Sequence, residues 1–343
     1  MFITNRRSII VHRLRVFLAS TARYPFVQDD VEMLRRHFDV DVCFGSGARG
    51  AWEHFRGALR ADVSIGWFGS VYTFFLMLGA RLAGRGSIVI LGGVDVAKMP
   101  ELDYGIWRSW WKGRLLAFAL ERIDRILAVD MSLRRTLERS SGRTWERVEA
   151  LPTGYDAGMW PARFPRERMV LCVAGTNSPE RARIKGVDIF IAAAQHFPDV
   201  PFHVVGIDPE VMAQLAPSAP ANLQLHPPVP RARLLDFYQR ARVYCQPSRS
   251  EGLPNALCEA MLCGCVPVGT DVGGIPAAID GCGFVVPPGD AGALAAAIGR
   301  GLEAPDSLGV RAREHIATTF SAERRETALV AIINQLGSAE VIR

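Results

Sequence analysis

Residues 243–269 read VYCQPSRSEGLPNALCEAMLCGCVPVG, and this stretch decides the fold. It opens with a short apolar run, Val243–Pro247, passes through a polar turn and continues with helix-forming residues from Pro254 to Leu262. A second apolar run, Val266–Gly269, follows a turn that contains glycine. A strand, a helix and a second strand in this order predict a βαβ unit with parallel strands.

The same alternation of short β-rich runs and amphipathic stretches extends along the whole chain, which predicts an α/β protein and excludes all-α and all-β folds. Residues 152–165 are rich in residues that break regular structure, and we place a linker there. The chain has 343 residues, which suits two domains of about 150 residues each. Two doubly wound domains leave a cleft at the carboxyl ends of their strands, where such sheets bind ligands.

The composition is that of a globular protein. Hydrophobic residues make up 49% and charged residues 22%, which excludes disorder, collagen-like repeats and coiled coils. Lys and Arg outnumber Asp and Glu by 40 to 35, a net charge of +5. This excess is too small to predict nucleic-acid binding without a concentrated patch. It favours an anionic ligand or an acidic membrane surface.

Seven cysteines lie mostly inside apolar runs and are expected to be reduced core residues of a cytoplasmic protein. Cys263 and Cys265 lack the C-x-x-C spacing of zinc and redox sites, so we expect no metal site. The apolar stretch within residues 1–15 is shorter than the ~7–15 residue core of a signal peptide. The longest apolar region, residues 70–94, is interrupted by two arginines. These features predict neither export nor a membrane-spanning helix.

Two carboxylates accompany the predicted helix start. Pro254 suits the first turn of a helix, where free N–H groups and the helix dipole favour phosphate or another anion. Glu251 lies in the loop ahead of this helix and Glu259 inside it. Carboxylates beside an anion site suit ligand hydroxyls, and a sugar nucleotide offers both groups. Gly273 and Gly274, in the turn after the next strand, permit close backbone approach to a ligand. The alternative is an ordinary exposed helix start with two surface glutamates.

These residues resemble motifs of the retaining GT-B glycosyltransferases called glycosyltransferase family 4, or glycosyl transferases group 1. The resemblance is strong over residues 150–290 and thinner before them. Its centre is an E-x7-E element in the form S-x-x-EGLPNALCEAM. The segments that carry it are Leu151–Asp156 (LPTGYD), Lys185–Asp188 (KGVD), Glu251–Met261, Gly264–Pro267 (GCVP) and Gly273–Ile275 (GGI).

The resemblance implies two Rossmann-like doubly wound domains that face each other across a cleft. Residues 1–155 would form the acceptor-side domain and residues 156–320 the nucleotide-sugar domain. Residues 321–343 would form a terminal helix that crosses back to the first domain. The implied activity is a retaining, metal-independent transfer of the hexosyl type. Its donor substrate is a nucleotide diphosphate sugar, and no cofactor is implied.

The resemblance also implies roles for particular residues. Glu259 would accept hydrogen bonds from ribose hydroxyls, and Glu251 would contact the donor sugar. Lys185 and a nearby arginine would neutralise the diphosphate, whose charge grows as its bond to the sugar breaks. Backbone amides at the helix start, less the one that proline lacks, would surround the diphosphate and the sugar. These amides belong to Gly252, Leu253, Pro254 and Asn255.

The sequence departs from the family pattern in two places. The usual Gly-Arg step reads Gly175–Asn177 here, so Arg181 or Arg183 would supply the arginine. For each of these the alternative is a solvated basic loop. The family's H-G-x-D-V step reads Gly92–Val96, with glycine in place of a histidine that often lies near the sugar. Asp95 remains a candidate catalytic residue, with a turn or capping role as the alternative.

The stretch from Ile106 to Glu121 predicts one amphipathic helix rich in tryptophan and basic residues. In one interpretation it holds the protein, together with the N-terminal arginines, peripherally on acidic lipids at the inner face of the membrane. In the other, its aromatic side chains pack into the first domain or the cleft. The residues concerned are Trp107, Trp110, Trp111, Lys112 and Arg114.

The sequence therefore predicts a glycosyltransferase of glycan, polysaccharide or glycolipid biosynthesis. Its expected partners are a nucleotide sugar donor and a glycan or lipid-linked acceptor, with no nucleic acid. One alternative is a GT-B-fold sugar-nucleotide epimerase or hydrolase. Another is a non-catalytic sugar-nucleotide-binding subunit, suggested by Gly92 and by the missing glycines after the first strand. The joint presence of Glu251, Glu259 and Lys185 argues against that subunit.

Overall fold

The computed structural model of this protein describes residues 13–338. Arg6 and Arg7, which belong to the proposed lipid contact, lie outside this range, as do residues 339–343 of the predicted terminal helix. Within the described range the chain forms two six-stranded sheets flanked by helices. This architecture confirms the α/β prediction.

Each sheet contains six parallel strands. The first comprises β1 (Arg15–Ser20), β2 (Asp39–Phe44), β3 (Val63–Trp67), β4 (Gly86–Leu91), β5 (Arg125–Ala128) and β6 (Val148–Ala150). The second comprises β7 (Glu167–Thr176), β8 (Phe202–Ile207), β9 (Leu223–His226), β10 (Ala241–Gln246), β11 (Val266–Thr270) and β12 (Phe284–Val286). β3 and β4 are buried along their whole length, as expected where helices cover both faces of a parallel sheet.

The α-helices of the described range connect the strands and cover the sheets. Those before β7 are α1 (Pro25–Arg35), α2 (Gly47–Arg60), α3 (Val71–Leu82), α4 (Trp110–Leu120) and α5 (Ser132–Ser141). Those after β7 are α6 (Pro179–Ile184), α7 (Val187–Ala194), α8 (Pro209–Leu215), α9 (Arg231–Arg240), α10 (Asn255–Leu262), α11 (Ile275–Ile279), α12 (Ala291–Glu303), α13 (Asp306–Thr319) and α14 (Ala322–Ser338).

The strand order of each sheet indicates where a ligand would bind. The first sheet has the order β2-β1-β3-β4-β5-β6 and the second β12-β11-β10-β7-β8-β9. In the second sheet the order reverses between β7 and β10. Open parallel sheets bind ligands outside the carboxyl ends of the strands at such a reversal. The loops that follow β7 and β10 are therefore the expected ligand site.

The last helix, α14, follows the helices of the second sheet but contacts β3 and β4 of the first. Arg325 of α14 is buried and forms an ion pair with Asp30 of α1, with Nε–Oδ1 and Nη2–Oδ2 distances of 2.7 Å each. The linker pairs with the segment just before α14, because the Tyr155 N–H donates to the Phe320 carbonyl oxygen at 2.8 Å. The chain thus returns to the first sheet at its end.

The stretch predicted as one tryptophan-rich helix is divided in the structure. Ile106–Arg108 forms a 3-10 turn, and α4 begins only at Trp110. Trp107 is buried and donates its Nε1–H to the Asp95 carbonyl oxygen at 2.9 Å, whereas Trp110 and Trp111 are exposed. The prediction that these aromatics pack inside is therefore right for Trp107 and wrong for the two tryptophans of α4.

Candidate functional site

A hydrogen-bonded network in the turn after β10 is centred on Glu251, whose side chain is only 8% exposed. Its Oε1 accepts hydrogen bonds from Ser248 Oγ at 2.8 Å, Gln246 Nε2 at 3.0 Å and Lys185 Nζ at 2.6 Å. The Lys185 side chain is 24% exposed. The partly accessible ammonium group of Lys185 therefore lies beside the Glu251 carboxylate. The side chains of Ser248 and Gln246 hold that carboxylate in place.

Two contacts hold the loop that carries Lys185. Gly186 has a φ of 72°, and a Cβ there would lie 1.9 Å from the Pro247 carbonyl oxygen, so the position requires glycine. Asp188, in the first turn of α7, accepts two hydrogen bonds of 2.7 Å from the Arg249 guanidinium. The KGVD motif is thus a structural unit. Its glycine lets the loop after β7 touch the turn after β10, and its aspartate anchors that turn.

Glu259 lies partly buried in α10, and its Oε2 accepts a hydrogen bond from the Tyr238 hydroxyl at 3.1 Å. Burial raises the pKa of Glu259 to about 7, while the Tyr238 hydroxyl and the Arg231 guanidinium act in the opposite direction. The carboxyl group therefore changes protonation state near neutral pH. The ionised form accepts hydrogen bonds at both oxygens, whereas the protonated form carries an O–H donor on one of them.

The start of α10 is tied to the linker. Asn255 Oδ1 accepts a hydrogen bond from the Tyr155 hydroxyl at 2.7 Å, and residues 252–254 ahead of it are buried. The first amide N–H groups of a helix have no acceptor within the helix, and the dipole favours negative charge there. A buried loop thus leads into a helix start that is suited to an anion.

Gly273 and Gly274 pack against the turn that holds Glu251. The Gly274 N–H donates to the Gly252 carbonyl oxygen at 2.6 Å. Gly273 has a φ of 56°, and a Cβ there would lie 2.2 Å from the carbonyl oxygen of Glu251. Both glycines therefore support the turn of residues 251–252. That their backbone also approaches a ligand stays a prediction.

Asp95 is fully buried beneath the turn that follows β4. Its carboxylate accepts hydrogen bonds from the backbone N–H groups of Gly69 at 2.9 Å, Gly92 at 3.0 Å and Gly93 at 2.7 Å. Burial raises the pKa of Asp95, and these amides act in the opposite direction. Asp95 therefore fixes the Gly92–Gly93 turn from beneath. The structure supports the turn role over the catalytic role that the sequence left open.

The two halves of the molecule touch at Gly252. A Cβ on Gly252 would lie 2.1 Å from the Gly92 carbonyl oxygen, and one on Gly93 would lie 3.1 Å from the Gly252 nitrogen. The turn held by Asp95 thus abuts the turn that holds Glu251. Gly92, which stands where the family has histidine, therefore serves as a backbone contact between the halves.

Replacing Gly252 with alanine is expected to lower the free energy of unfolding by about 1–3 kcal/mol, because the added methyl group overpacks a backbone contact. Activity at this site should fall with it, since the turn carries Glu251. Gly175→Ala is the matched control, because nothing lies within 4 Å of a Cβ there. Urea denaturation and initial rates measure both effects. Equal stability of the two variants would contradict the contact.

Tyr104, which sequence reasoning missed, comes from the first half and lies within electrostatic range of Glu251 and Arg181. Burial raises the pKa of its hydroxyl, the Glu251 carboxylate raises it further, and the Arg181 guanidinium lowers it.

Arg181 and Arg183 are both exposed on α6. Arg183 acts instead on Glu180, whose pKa a backbone amide and Ser178 lower more strongly. The structure therefore brings Arg181 into electrostatic range of Tyr104.

Two further site residues had a weak signal in the sequence. Gln246 is a polar residue at the end of an apolar strand, and a buried amide needs hydrogen-bond partners. Tyr238 lies in an otherwise amphipathic helix, and a buried tyrosine hydroxyl needs a partner as well. For Tyr104, which reaches the site from a loop of the other half, the sequence offers no local signal.

The seven cysteines are unpaired, and six of them are buried, as the apolar runs predict. Within residues 13–338, no group of three or more His, Cys, Asp or Glu side chains is arranged to hold a metal ion. Over the same range, no helix is both long enough and apolar enough to cross a membrane.

Comparison with known proteins identifies relatives in sequence. The family described as Glycosyl transferases group 1 matches residues 167–304. The chain is 30% identical over 352 residues to alpha-maltose-1-phosphate synthase of Mycolicibacterium smegmatis, covering 86% of this chain and 90% of that protein. It is also 30% identical over 255 residues to D-inositol 3-phosphate glycosyltransferase of Xylanimonas cellulosilytica, of whose length it spans 60%.

Solved structures share the fold at low sequence identity. Sucrose-phosphate synthase from Thermosynechococcus elongatus matches with a TM-score of 0.76 and 17% identity, covering 95% of this chain and all of that one. Anabaena Alr3699/HepE, solved in complex with UDP, matches with a TM-score of 0.74 and 16% identity over 94% of this chain and all of its own. At this identity the likeness concerns the fold, and it confirms the predicted pair of α/β sheets.

Proposed function

This chain belongs to the glycosyl transferases group 1 family, and from that premise we propose a specific reaction for it. It is a glycosyltransferase of the GT-B fold. The proposed reaction moves a hexosyl group from a nucleotide diphosphate sugar to an acceptor hydroxyl, with retention and without a metal ion. The observation that carries the proposal is the Lys185–Glu251 pair at the strand-order reversal of the second sheet.

The proposed roles follow from the geometry of that site. Glu259 accepts hydrogen bonds from the ribose hydroxyls, and the start of α10 receives the diphosphate. Lys185, assisted by Arg181, neutralises the diphosphate. The three hydrogen bonds to Glu251 all go to Oε1, which leaves Oε2 for a hydroxyl of the donor sugar. Tyr104, from the first half, is proposed to approach the donor sugar from the acceptor side.

Retention is proposed to occur by attack on the front face of the sugar. The C1–O bond to the diphosphate breaks, and its electron pair goes to the departing oxygen. The acceptor oxygen forms its bond to C1 on the same face and passes its proton to a diphosphate oxygen. Negative charge grows on the diphosphate during this step, so a fixed cation at Lys185 stabilises the transition state more than the ground state.

The acceptor is proposed to be a glycan under construction on a lipid carrier, with a polysaccharide or a small molecule as alternatives. Two sequence relatives are named for sugar-phosphate and inositol-phosphate chemistry, and another is named a phosphatidylinositol N-acetylglucosaminyltransferase subunit. Phosphorylated acceptors suit the positive net charge of this chain. A lipid-linked acceptor would place the enzyme at the inner surface of a membrane.

Thermal stabilisation by GDP, UDP, ADP and their sugar conjugates tests the donor site. A ligand at 100 times its dissociation constant adds about 2.7 kcal/mol to the stability of the protein that binds it. One base should stabilise the protein, and its sugar conjugate should then be consumed only with an acceptor present. Consumption of donor alone would indicate an epimerase or hydrolase. Binding without turnover under any acceptor would indicate a non-catalytic subunit.

Donor affinity is expected to rise about ten-fold between pH 6 and pH 8, because ribose hydroxyls donate to the ionised form of a group whose pKa is about 7. Donor affinity falls as the pH drops below this pKa, because protonated Glu259 must lose its proton before the donor binds. The phosphates of a nucleotide sugar do not titrate in this range. Isothermal titration calorimetry measures the effect.

Glu259→Gln is the matched variant for this pH dependence, because it keeps the shape of the side chain and removes the titration. Its donor affinity should be low and nearly constant from pH 6 to pH 8. A pH dependence that persists in Glu259→Gln would place the ribose elsewhere.

A further inference from the structure

Six bulky apolar side chains are exposed on one layer of helices beside the first sheet. The layer consists of α2, α3 and α4, of which α2 packs against α3 and α3 against α4. The side chains, with their exposed fractions, are Trp52 (56%), Leu59 (36%), Leu82 (67%), Trp110 (76%), Trp111 (49%) and Phe118 (42%). Every exposed tryptophan of residues 13–338 lies in this layer. We call the exposed face of these three helices the helical layer.

An open groove of about 510 Å³ runs between α3 and α4 within this layer. Its walls are Phe74, Trp110, Trp111, Arg114, Leu115 and Phe118, and we call it the aromatic groove. Cations flank its rings: Lys112 Nζ lies 5.5 Å from the ring centre of Trp111, and the Arg122 guanidinium lies 3.6 Å from that of Phe118. Tryptophan and basic residues together are typical of surfaces at a membrane–water interface.

The charge of the helical layer is mainly positive. Its three helices contain six basic residues and one acidic residue, Glu53, so their net charge is +5. The basic residues are Arg49, Arg56, Arg60, Arg81, Lys112 and Arg114. The three helices are therefore positively charged, which makes their exposed face complementary to anionic lipid headgroups.

The aromatic groove begins near the carboxyl edge of the first sheet, which is the edge where the cleft is expected. α3 follows β3 and α4 comes after β4, so both helices begin near the carboxyl edge of the parallel sheet. Trp110 and Trp111 are the first residues of α4, and Phe74 lies in the first turn of α3. A membrane that contacts these residues would therefore lie close to the entrance of the cleft.

We propose that the helical layer docks on a bilayer of anionic phospholipids, with the rings of the aromatic groove at the boundary of headgroups and acyl chains. A second copy of this chain fits the surface less well. A two-fold dimer places the same patch on both partners, so a charge of +5 would face another of +5, and charged residues are depleted at the cores of protein interfaces. The proposal goes beyond sugar transfer, because bilayer binding needs neither donor nor acceptor.

Vesicle flotation of the full-length protein tests the proposal. Vesicles of phosphatidylcholine alone are compared with vesicles that contain about 30 mol% phosphatidylglycerol. The protein should bind the anionic vesicles and be released by about 0.5 M salt. Trp110→Ala with Trp111→Ala, and separately Lys112→Glu with Arg114→Glu, should each lower the partition coefficient at least about ten-fold.

Matched controls come from exposed residues of the second half. Phe164→Ala controls for loss of an exposed ring, and Arg163→Glu with Arg311→Glu controls for the change in charge. Both should bind within about two-fold of the unaltered protein. Trp110→Phe with Trp111→Phe should keep most binding while losing most of the fluorescence quenching by brominated lipids, which a merely misfolded variant would not do.

Three results would overturn the proposal. They are an absence of binding to anionic vesicles, equal binding by the tryptophan pair and the unaltered protein, and a dimer in light scattering that the tryptophan pair abolishes. The last would assign the surface to a second copy of this chain. None of these measurements contains sugar nucleotide, so failure here is distinguishable from failure of the proposed transfer reaction.

Discussion

Replacing Lys185 with alanine is expected to lower kcat/KM for sugar transfer by about 10²- to 10³-fold, which corresponds to about 2.7–4 kcal/mol of transition-state stabilisation. The ammonium is partly exposed and held 2.6 Å from Glu251 Oε1, so it is already positioned before the donor arrives. The charge that it neutralises grows during bond breaking, and the loss should therefore appear in kcat more than in donor affinity. Initial rates give kcat and KM, and thermal stabilisation gives affinity.

Two variants control for this change. Lys185→Arg keeps the charge and should recover part of the activity, limited by the different geometry of a guanidinium. Arg163→Ala removes an exposed positive charge from the same half of the chain and should leave activity within about two-fold. An unchanged kcat with a raised KM in Lys185→Ala would contradict the proposed role, because it would indicate uniform binding of ground and transition states.

Replacing Arg325 with methionine should lower the free energy of unfolding by about 3–5 kcal/mol, the usual cost of breaking a buried ion pair on one side. Its guanidinium donates to both carboxylate oxygens of Asp30 and to the carbonyl oxygens of Leu151 at 3.1 Å and Pro152 at 2.7 Å. Trp67 Nε1 donates to the same Asp30 at 2.8 Å. The variant leaves a buried negative charge without its cation, and urea denaturation measures the loss.

Arg324 provides the matched control, because it precedes Arg325 on α14 and is exposed. Arg324→Met should change stability by no more than about 0.5 kcal/mol. Asp30→Asn combined with Arg325→Met should recover part of the loss, since no unpaired charge then remains buried. A loss below about 1 kcal/mol in Arg325→Met alone would show that this ion pair does not hold α14 on the first sheet.

The stretch from residue 243 to 269 shows how much local sequence can determine. Its apolar runs become β10 and β11, and its helical pattern becomes α10. The boundaries differ from those predicted by one or two residues. Strands buried on both faces and a helix with proline before its first turn are properties of neighbouring residues, so they can be read without knowledge of the rest of the fold. Glu251 was proposed as a site residue from its place ahead of this helix, whereas Lys185 was proposed only because its motif resembles that of the family.

Contacts between distant segments could not be read in this way. Asp95 has the residue type and position of a catalytic group, but the turn that follows β4 places it beneath three backbone amides. The sequence predicted that Gly273 and Gly274 permit a close approach, and the structure shows that the turn carrying Glu251 packs against them. A pair of glycines indicates that another group approaches the backbone closely. Only the tertiary structure shows whether that group is another segment of the chain.

The sequence by itself determined the α/β class, the order of the strands, the motifs that resemble those of the family and the positive net charge. Hydrophobic periodicity, helix caps and motif spacing are local, so one chain is enough to read them. Only the tertiary structure decided that Trp107 is buried while Trp110 and Trp111 are exposed, that Tyr104 comes within electrostatic range of Glu251, and that α2, α3 and α4 pack into one layer. These depend on which face of each helix meets a neighbour, and that is set by the packing of segments far apart in the chain.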